Sequence, residues 1–387
     1  MDVARTIEGL LAAARGRTGL SDVGAEDTGW RDALARLVES AEREARLADR
    51  GRAMLHAVLT ERLVNRLSVI DYAARHPEVR HERVAEPLIL ATLPRTGQTA
   101  AGWILDRDPR NRSLLTWFAK HPIPPPLPGR NSGDPRVAQE RALVGAMPRA
   151  LLEMHLIDAE EPDECHWLIS NALRTPHELY SMHVPTYYRW VRDDPGMRAA
   201  YAFFHLQLQI LQSRTPGRRW VLKNSPHLLA LDSLHAVLPD AILVQFHRDP
   251  LKVLASNCKL TSLLRGLASD AVDPHAIGRD MLQLLGDYVS RLLDFRARGV
   301  SRRWIDVRFR DFVADPLRTV EAIYARAGFE LADATRADMA GWVAAHPRQD
   351  LVRARAADLA PWGIAPEEAR AVFADYCERF GVECDGI

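Results

Sequence analysis

Three short clusters hold the residues in this chain best suited to chemistry on an anion. The first is Pro94-Arg95-Thr96-Gly97-Gln98-Thr99, set between an apolar run of strand length, Leu88 to Ala91, and residues that suit a helix from Ala100. A strand feeding a tight glycine and hydroxyl turn at a helix start can grip a phosphate. Backbone N–H groups point at the anion, Gly97 lets the backbone approach, and Thr96 and Thr99 add hydroxyl donors. The second cluster is Lys223, after the strand Arg219-Trp-Val-Leu222, with Asn224, Ser225 and His227 beyond it. The third is His247-Arg248-Asp249-Pro250, after the buried-type strand Ala241 to Phe246, with Ser256 two turns along the next helix. Arg248 can hold a phosphate, and Asp249 can cap the helix that Pro250 opens. Taken singly, each cluster has a bland alternative: an ordinary strand-to-helix turn, a solvated strand end, a surface ion pair. Together they occupy the carboxyl ends of strands, where parallel α/β sheets place their ligands.

The first loop is not a Walker A sequence, which needs G-x-x-x-x-G-K-[ST]. It has one glycine, no lysine follows it, and its cation, Arg95, precedes the glycine.

The elements that must position these clusters follow from the rest of the chain. Its 387 residues, 47% of them hydrophobic, are enough for a large α/β domain with additions. With 51 basic and 51 acidic residues there is no bulk attraction to nucleic acid or an anionic membrane, so an anion must be held by a local cluster. The four cysteines, Cys165, Cys258, Cys377 and Cys384, form no C-x-x-C pair and read as reduced thiols in a cytoplasmic protein, with no disulfide framework and no zinc site. The charged N-terminus does not read as a secretory signal, and no apolar run approaches the roughly 20 residues of a membrane span.

Residues 1–82 read as a helical extension, with apolar positions at helical spacing in Val3-Ile7-Leu10-Leu11, Trp30-Leu34-Leu37 and Met54-Leu55-Val58-Leu59-Leu63. Residues 83–387 read as one α/β domain. Ser113-Leu-Leu-Thr-Trp117 is expected as a second strand, Pro226 to Leu238 as a crossover helix and Trp304 to Val307 as a last strand. Long helices are expected over 250–264 and 275–298, and further helices from about 316. The aromatic segments around His166 and His183 to Tyr188 are expected near a substrate pocket, or equally as core packing.

In this order and spacing the chain resembles the sulfotransferase superfamily, most closely its bacterial branch akin to tyrosylprotein sulfotransferases. The family's P-R-[ST]-G-[ST]-T corresponds to Pro94–Thr99, its W-x-L-K-x-x-x-H-L to Trp220-Val-Leu-Lys223-Asn-Ser-Pro-His227-Leu228, and its H-R-D-P…S to His247–Pro250…Ser256. Val307-Arg-Phe-Arg-Asp-Phe-Val-Ala-Asp-Pro316 resembles its R-Y-E-D element. The resemblance implies a three-layer, P-loop-like parallel sheet flanked by helices. It also implies a sulfuryl donor, 3′-phosphoadenosine 5′-phosphosulfate (PAPS), bound by Arg95, Thr96, Gly97, Gln98, Thr99, Ala100, Arg248, Ser256, Phe309 and Arg348, with Lys223 catalytic and no metal.

The chain departs from the family at several positions. Gln98 replaces a Ser or Thr, Phe309 a Tyr and Arg310 a Glu. The carboxylate that relatives carry in a W-E pattern after the second strand is absent from Trp117-Phe118-Ala119-Lys120-His121. A replacement base is expected from His121, in the place where cytosolic sulfotransferases carry a catalytic histidine, or from Glu164 and His166, in a segment resembling the family's E-E-C. The resulting expectation is transfer of a sulfuryl group from PAPS to a hydroxyl on a small or lipid-like molecule, with a homo-oligomer allowed. Trp117, Phe118, Trp167, Tyr187 and Tyr188 are expected near the acceptor. The alternatives are a nucleotide-binding homologue with impaired or altered transfer and an ATP-dependent phosphotransferase.

Overall fold

The structure is a computed structural model that describes residues 2–24, 29–128, 133–194, 196–346 and 358–384. Strands β1 (Leu88–Leu90), β2 (Asn111–Ser113), β3 (Arg219–Lys223), β4 (Ile242–His247) and β5 (Trp304–Arg308) form one parallel sheet in the order β2-β3-β1-β4-β5. The central strands are buried on both faces, which is why they read as continuous apolar runs. Alternate residues feed two cores. Ile89, Leu222 and Leu243 join the larger cluster, while Leu88, Leu90, Val221 and Val244 join the other. Helices therefore cover both sides, and the expected parallel α/β architecture is the one observed.

Ser113 to Trp117 is not a strand. β2 ends at Ser113, and Thr116–Lys120 forms a short helix. Leu115 instead makes an antiparallel bridge with Pro162, and the Thr116 and Trp117 N–H groups donate to the Glu161 and Ala159 carbonyls, each at 3.1 Å. The chain leaves the sheet because those groups are already satisfied elsewhere. The expected helix from Pro226 to Leu238 is divided into a 3-10 turn, Ser225–Ala230, and a helix, Leu231–Val237.

Helices α1 (Val3–Thr18), α2 (Trp30–Glu44) and α3 (Asp49–Arg75) precede the sheet. Ile7, Leu10, Leu11 and Ala14 of α1 and Leu34, Leu37 and Ala41 of α2 lie in the same cluster as Ile89 and Leu222. The start of α3 docks on the end of helix Pro250–Ala268, which also borders the candidate site. The Ala48 N–H donates to the Ala268 carbonyl (3.0 Å) and Arg50 Nε to the Leu267 carbonyl (3.1 Å), so a cation meets the negative end of the helix. Cys377 and Cys384, expected as free thiols, form a disulfide, because Gly381 adopts a left-handed φ of 60° and turns the chain back past the helix end. Cys165 and Cys258 are free and buried.

Gly51 is where α3 and that helix touch, and a Cβ there would lie 2.0 Å from the Ala268 carbonyl oxygen. Alanine is the better helix former by about 1 kcal/mol. Gly51→Ala is nonetheless expected to lower unfolding stability by about 1–3 kcal/mol through overpacking. An unshifted or raised urea midpoint would show that the contact yields freely.

Candidate active site

A cavity of about 550 Å³ opens beyond the carboxyl ends of β1, β3 and β4. The loop after β1 makes its floor. Arg95 and Gly97 both take left-handed backbone conformations (φ 64° and 90°), so the turn into helix α4 (Gln98–Leu105) is tight. That helix begins two residues earlier than expected. Thr96 does not present its hydroxyl to the cavity. The hydroxyl donates to the Leu93 carbonyl (2.7 Å) and lies 3.0 Å from Thr92 Oγ1, and Thr92 in turn donates to the Phe246 carbonyl (2.8 Å). These bonds hold the loop against β4.

Two guanidinium groups dominate the charge. Arg95 Nε lies 3.1 Å from Ser256 Oγ, and its Nη2 donates to the Met154 carbonyl (2.7 Å). Arg248 donates to the Arg95 carbonyl and sits 4.4 Å from the centre of the Phe309 ring. Burial lowers the pKa of both, and Arg248, also repelled by Arg95, is pushed down to about 10. Neither forms an ion pair with a carboxylate among the described residues. Half-buried cations outside any such ion pair, beside the N–H groups of a helix start, suit an anion with more than one charged group.

The opposite side is set by a segment that crosses the strand ends. The Asp163 N–H donates to the Leu114 carbonyl (2.7 Å) and the Cys165 N–H to the Lys223 carbonyl (3.0 Å), which fixes Asp163 and Glu164 beside the buried Lys223. Lys223 Nζ lies 4.0 Å from Asp163 Oδ1 and 3.9 Å from Glu164 Oε1. Burial would raise the Asp163 carboxyl, but Lys223, then His166 and Lys120, outweigh it and hold it well below the usual carboxylate range. Trp167 Nε1 also donates to Asp163 (2.9 Å). Gln98 reaches across the floor, donating to Ser225 Oγ (3.0 Å) and Glu164 Oε1 (3.3 Å), while its own Oε1 is buried without a partner among the described residues.

Residues 87–333 match the model of the family described as the sulfotransferase family. The chain belongs to the sulfotransferase family. It is similar to the crystal structure of sulfotransferase STF9 from Mycobacterium avium, with 33% identity over 98% of each chain and a TM-score of 0.89. It is also similar to that of sulfotransferase STF1 from Mycobacterium tuberculosis H37Rv, with 30% identity, coverage of 95% of this chain and 98% of that one, and a TM-score of 0.83. A comparison with curated proteins gives no match. These matches bear on the sulfotransferase family and not on its tyrosylprotein-like branch.

Of the residues singled out in the sequence, Arg95, Gly97, Gln98, Thr99, Ala100, Glu164, His166, Arg248, Ser256 and Phe309 line this sulfotransferase's cavity, and Lys223 stands behind Glu164. His121 does not line it. Its Nδ1 lies 3.1 Å from Glu61 Oε1 on α3, and Arg136 donates to its carbonyl (2.8 Å), so the neighbouring Lys120 faces the cavity in its place. Arg348 lies outside the described residues. Trp167 is on the wall, but Trp117, Phe118, Tyr187 and Tyr188 are core residues; the two tyrosine hydroxyls bond the Leu173 carbonyl and Asp287, each at 2.7 Å. His155, His177, Tyr180, Lys252 and Lys259 line the cavity without having been singled out. The lysines are spaced four before and three after Ser256, a helical phase that could have found them. The two histidines flank short helices, His155 after Arg149–Met154 and His177 before Glu178–Ser181, with no such signal.

His166 and His177 stack with ring centroids 3.8 Å apart. Burial lowers His155 to about 4 and His166, His177 and His227 to about 3. Their unfolded values lie near 6.5, so between pH 6.5 and about 4 the unfolded chain binds protons that the folded chain refuses, and stability falls as pH falls. At its steepest each such group contributes about 1.4 kcal/mol per pH unit. The melting midpoint is expected to drop clearly from pH 7 to pH 5. A midpoint independent of pH over that window would show that these imidazoles accept protons in the folded state.

Proposed function

We propose that this sulfotransferase uses PAPS as donor and a hydroxyl group of a small or lipid-like molecule as acceptor. The observation that carries the reading is the pair of half-buried guanidiniums that form no ion pair among the described residues, at the ends of β1 and β4. A donor with phosphate groups at both its 3′ and 5′ positions matches two separated cationic sites on one floor. Arg248, Ser256 and the Phe309 ring would hold the 3′-phosphate. Arg95, Thr99, Ala100 and the loop N–H groups would hold the 5′-phosphosulfate.

PAPS supplies an activated sulfuryl group: its S–O bond to phosphate breaks as the acceptor oxygen forms a new one, and 3′-phosphoadenosine 5′-phosphate departs with the bonding electron pair. Lys223 and Arg95 are placed to stabilise the charge that grows on the departing phosphate. Glu164 is our assignment for the base, because it lines the cavity beside Lys223 and its carboxylate can take the acceptor's hydroxyl proton. His166 is the weaker candidate, since burial has lowered its basicity to about 3. Gln98 steadies Glu164 and offers its unpartnered amide oxygen to a hydroxyl donor.

Calorimetry with 3′-phosphoadenosine 5′-phosphate, beside ATP with magnesium, tests the donor. Magnesium-independent binding that weakens at least about tenfold in Arg248→Ala is expected, from loss of a charge-assisted hydrogen bond worth about 1.5–3 kcal/mol. Equal affinity in that variant would remove Arg248 from the site, and preference for ATP with magnesium would restore the phosphotransferase alternative. Glu164→Gln is expected to lower kcat by about 10²–10⁴-fold while nucleotide affinity stays close to that of the parent. An unchanged kcat would exclude Glu164 as base.

A further inference from the structure

Helix Pro250–Ala268 changes character along the face it turns to the cavity. Its early turns present Lys252 and Ser256, and further along the same wall stand Leu260, Leu263 and Leu264. These leucines are only half-buried: all three line the cavity, and Leu264 also packs against the core. The segment that follows helix Arg149–Met154 adds Leu156 and Ile157, also half-buried and on the same wall, and Leu152 precedes them. Their spacing at three and four residues keeps the leucines of the long helix in one stripe.

Resting on the donor assignment above, we propose that the acceptor is an uncharged long-chain aliphatic alcohol, its hydroxyl at Glu164 and its hydrocarbon body along the Leu260–Leu264 stripe. A sugar would bring several hydroxyls to a wall of leucine and isoleucine, and each one buried without a partner weakens binding. Beside the reacting centre Lys120 is committed to Glu140 and the Trp167 ring, and Asp163 to Trp167 and Lys223; Gln98 Oε1 and the Tyr180 hydroxyl, without a partner among the described residues, suffice for a single acceptor hydroxyl. An acidic tyrosine peptide would need cations along the stripe; the lysines of this wall, Lys252 and Lys259, precede it, and Leu260-Thr-Ser-Leu-Leu264 itself supplies none. An alkyl chain asks only to leave water, and the half-buried leucines gain by covering it.

The test is label transfer from PAPS to n-alkanols of increasing length, with trehalose and an acidic tyrosine peptide as competing acceptors. The expected result is a kcat/KM that rises about fourfold for each added methylene until the chain outgrows the cavity. In Leu263→Asp that increment should disappear while affinity for 3′-phosphoadenosine 5′-phosphate is retained. Leu156→Asp, from the other segment, repeats the test should Leu263→Asp not fold. A kcat/KM independent of chain length overturns the proposal, as does faster labelling of the sugar or the peptide. Nucleotide binding with no label on any alkanol overturns it too, and leaves the donor reading standing. If the nucleotide itself does not bind, the donor reading fails alone. Calorimetric alkanol affinity then decides: a rise with chain length that Leu263→Asp removes supports the proposal, and no rise overturns it.

Discussion

Two half-buried arginine side chains, set next to each other and in ion pairs with no carboxylate among the described residues, are the constraint around which the rest of the site is arranged. Taking a cation out of water is costly, and a second cation beside it adds repulsion, which is why Arg248 is pushed down to about 10. Among the described residues the hydrogen-bond and ring partners of both groups are neutral, with Glu164 and Asp249 acting on them from further away. Arg95 is held by Ser256 and the Met154 carbonyl, Arg248 by the Arg95 carbonyl and the Phe309 ring. Each arginine therefore supports the other's loop, and their charge stays available to a ligand. Such an arrangement needs a stiff frame, and the buried parallel strands β1 and β4, tied by the Thr92 bonds to Phe246, supply it.

What could be read in the sequence was what is local. Pro94 to Thr99, Lys223 and Arg248 with Ser256 each belong to a strand end and the turn after it, so the residue order itself dictates their placement. The failures are all matters of direction settled at long range. Whether Thr116 continues a strand depends on Glu161 and Pro162, some 45 residues away in the chain. Whether His121 or Lys120 faces the cavity depends on Glu61 of α3 and on Arg136. Tyr187 and Tyr188 show the same limit, since an aromatic pair beside a proline looks alike on a pocket wall and in a core. His155 and His177 reach the site from the turns at the ends of two short helices, placed there by tertiary packing, and nothing in their own neighbourhoods announces it.

The missing carboxylate after the second strand finds its explanation in the same long-range contacts. The backbone at Thr116 and Trp117, just before Phe118, where the W-E pattern would put its acid, is hydrogen-bonded along residues 159–161, and that segment runs directly on to Asp163 and Glu164. On the proposed reading, a carboxylate delivered from this strip reaches the strand ends beside Lys223. The strip provides two acids, and their surroundings separate their roles. Asp163 is bound by the Trp167 indole and the field of Lys223, so it anchors the segment and balances the lysine. Glu164 carries longer contacts to Lys223, Gln98 and His166 and faces the cavity. On the proposed reading Gln98 then belongs with this rearrangement: a Ser or Thr at that position would be too short to span from α4 to Glu164, so the change in the loop accompanies the change in where the carboxylate comes from.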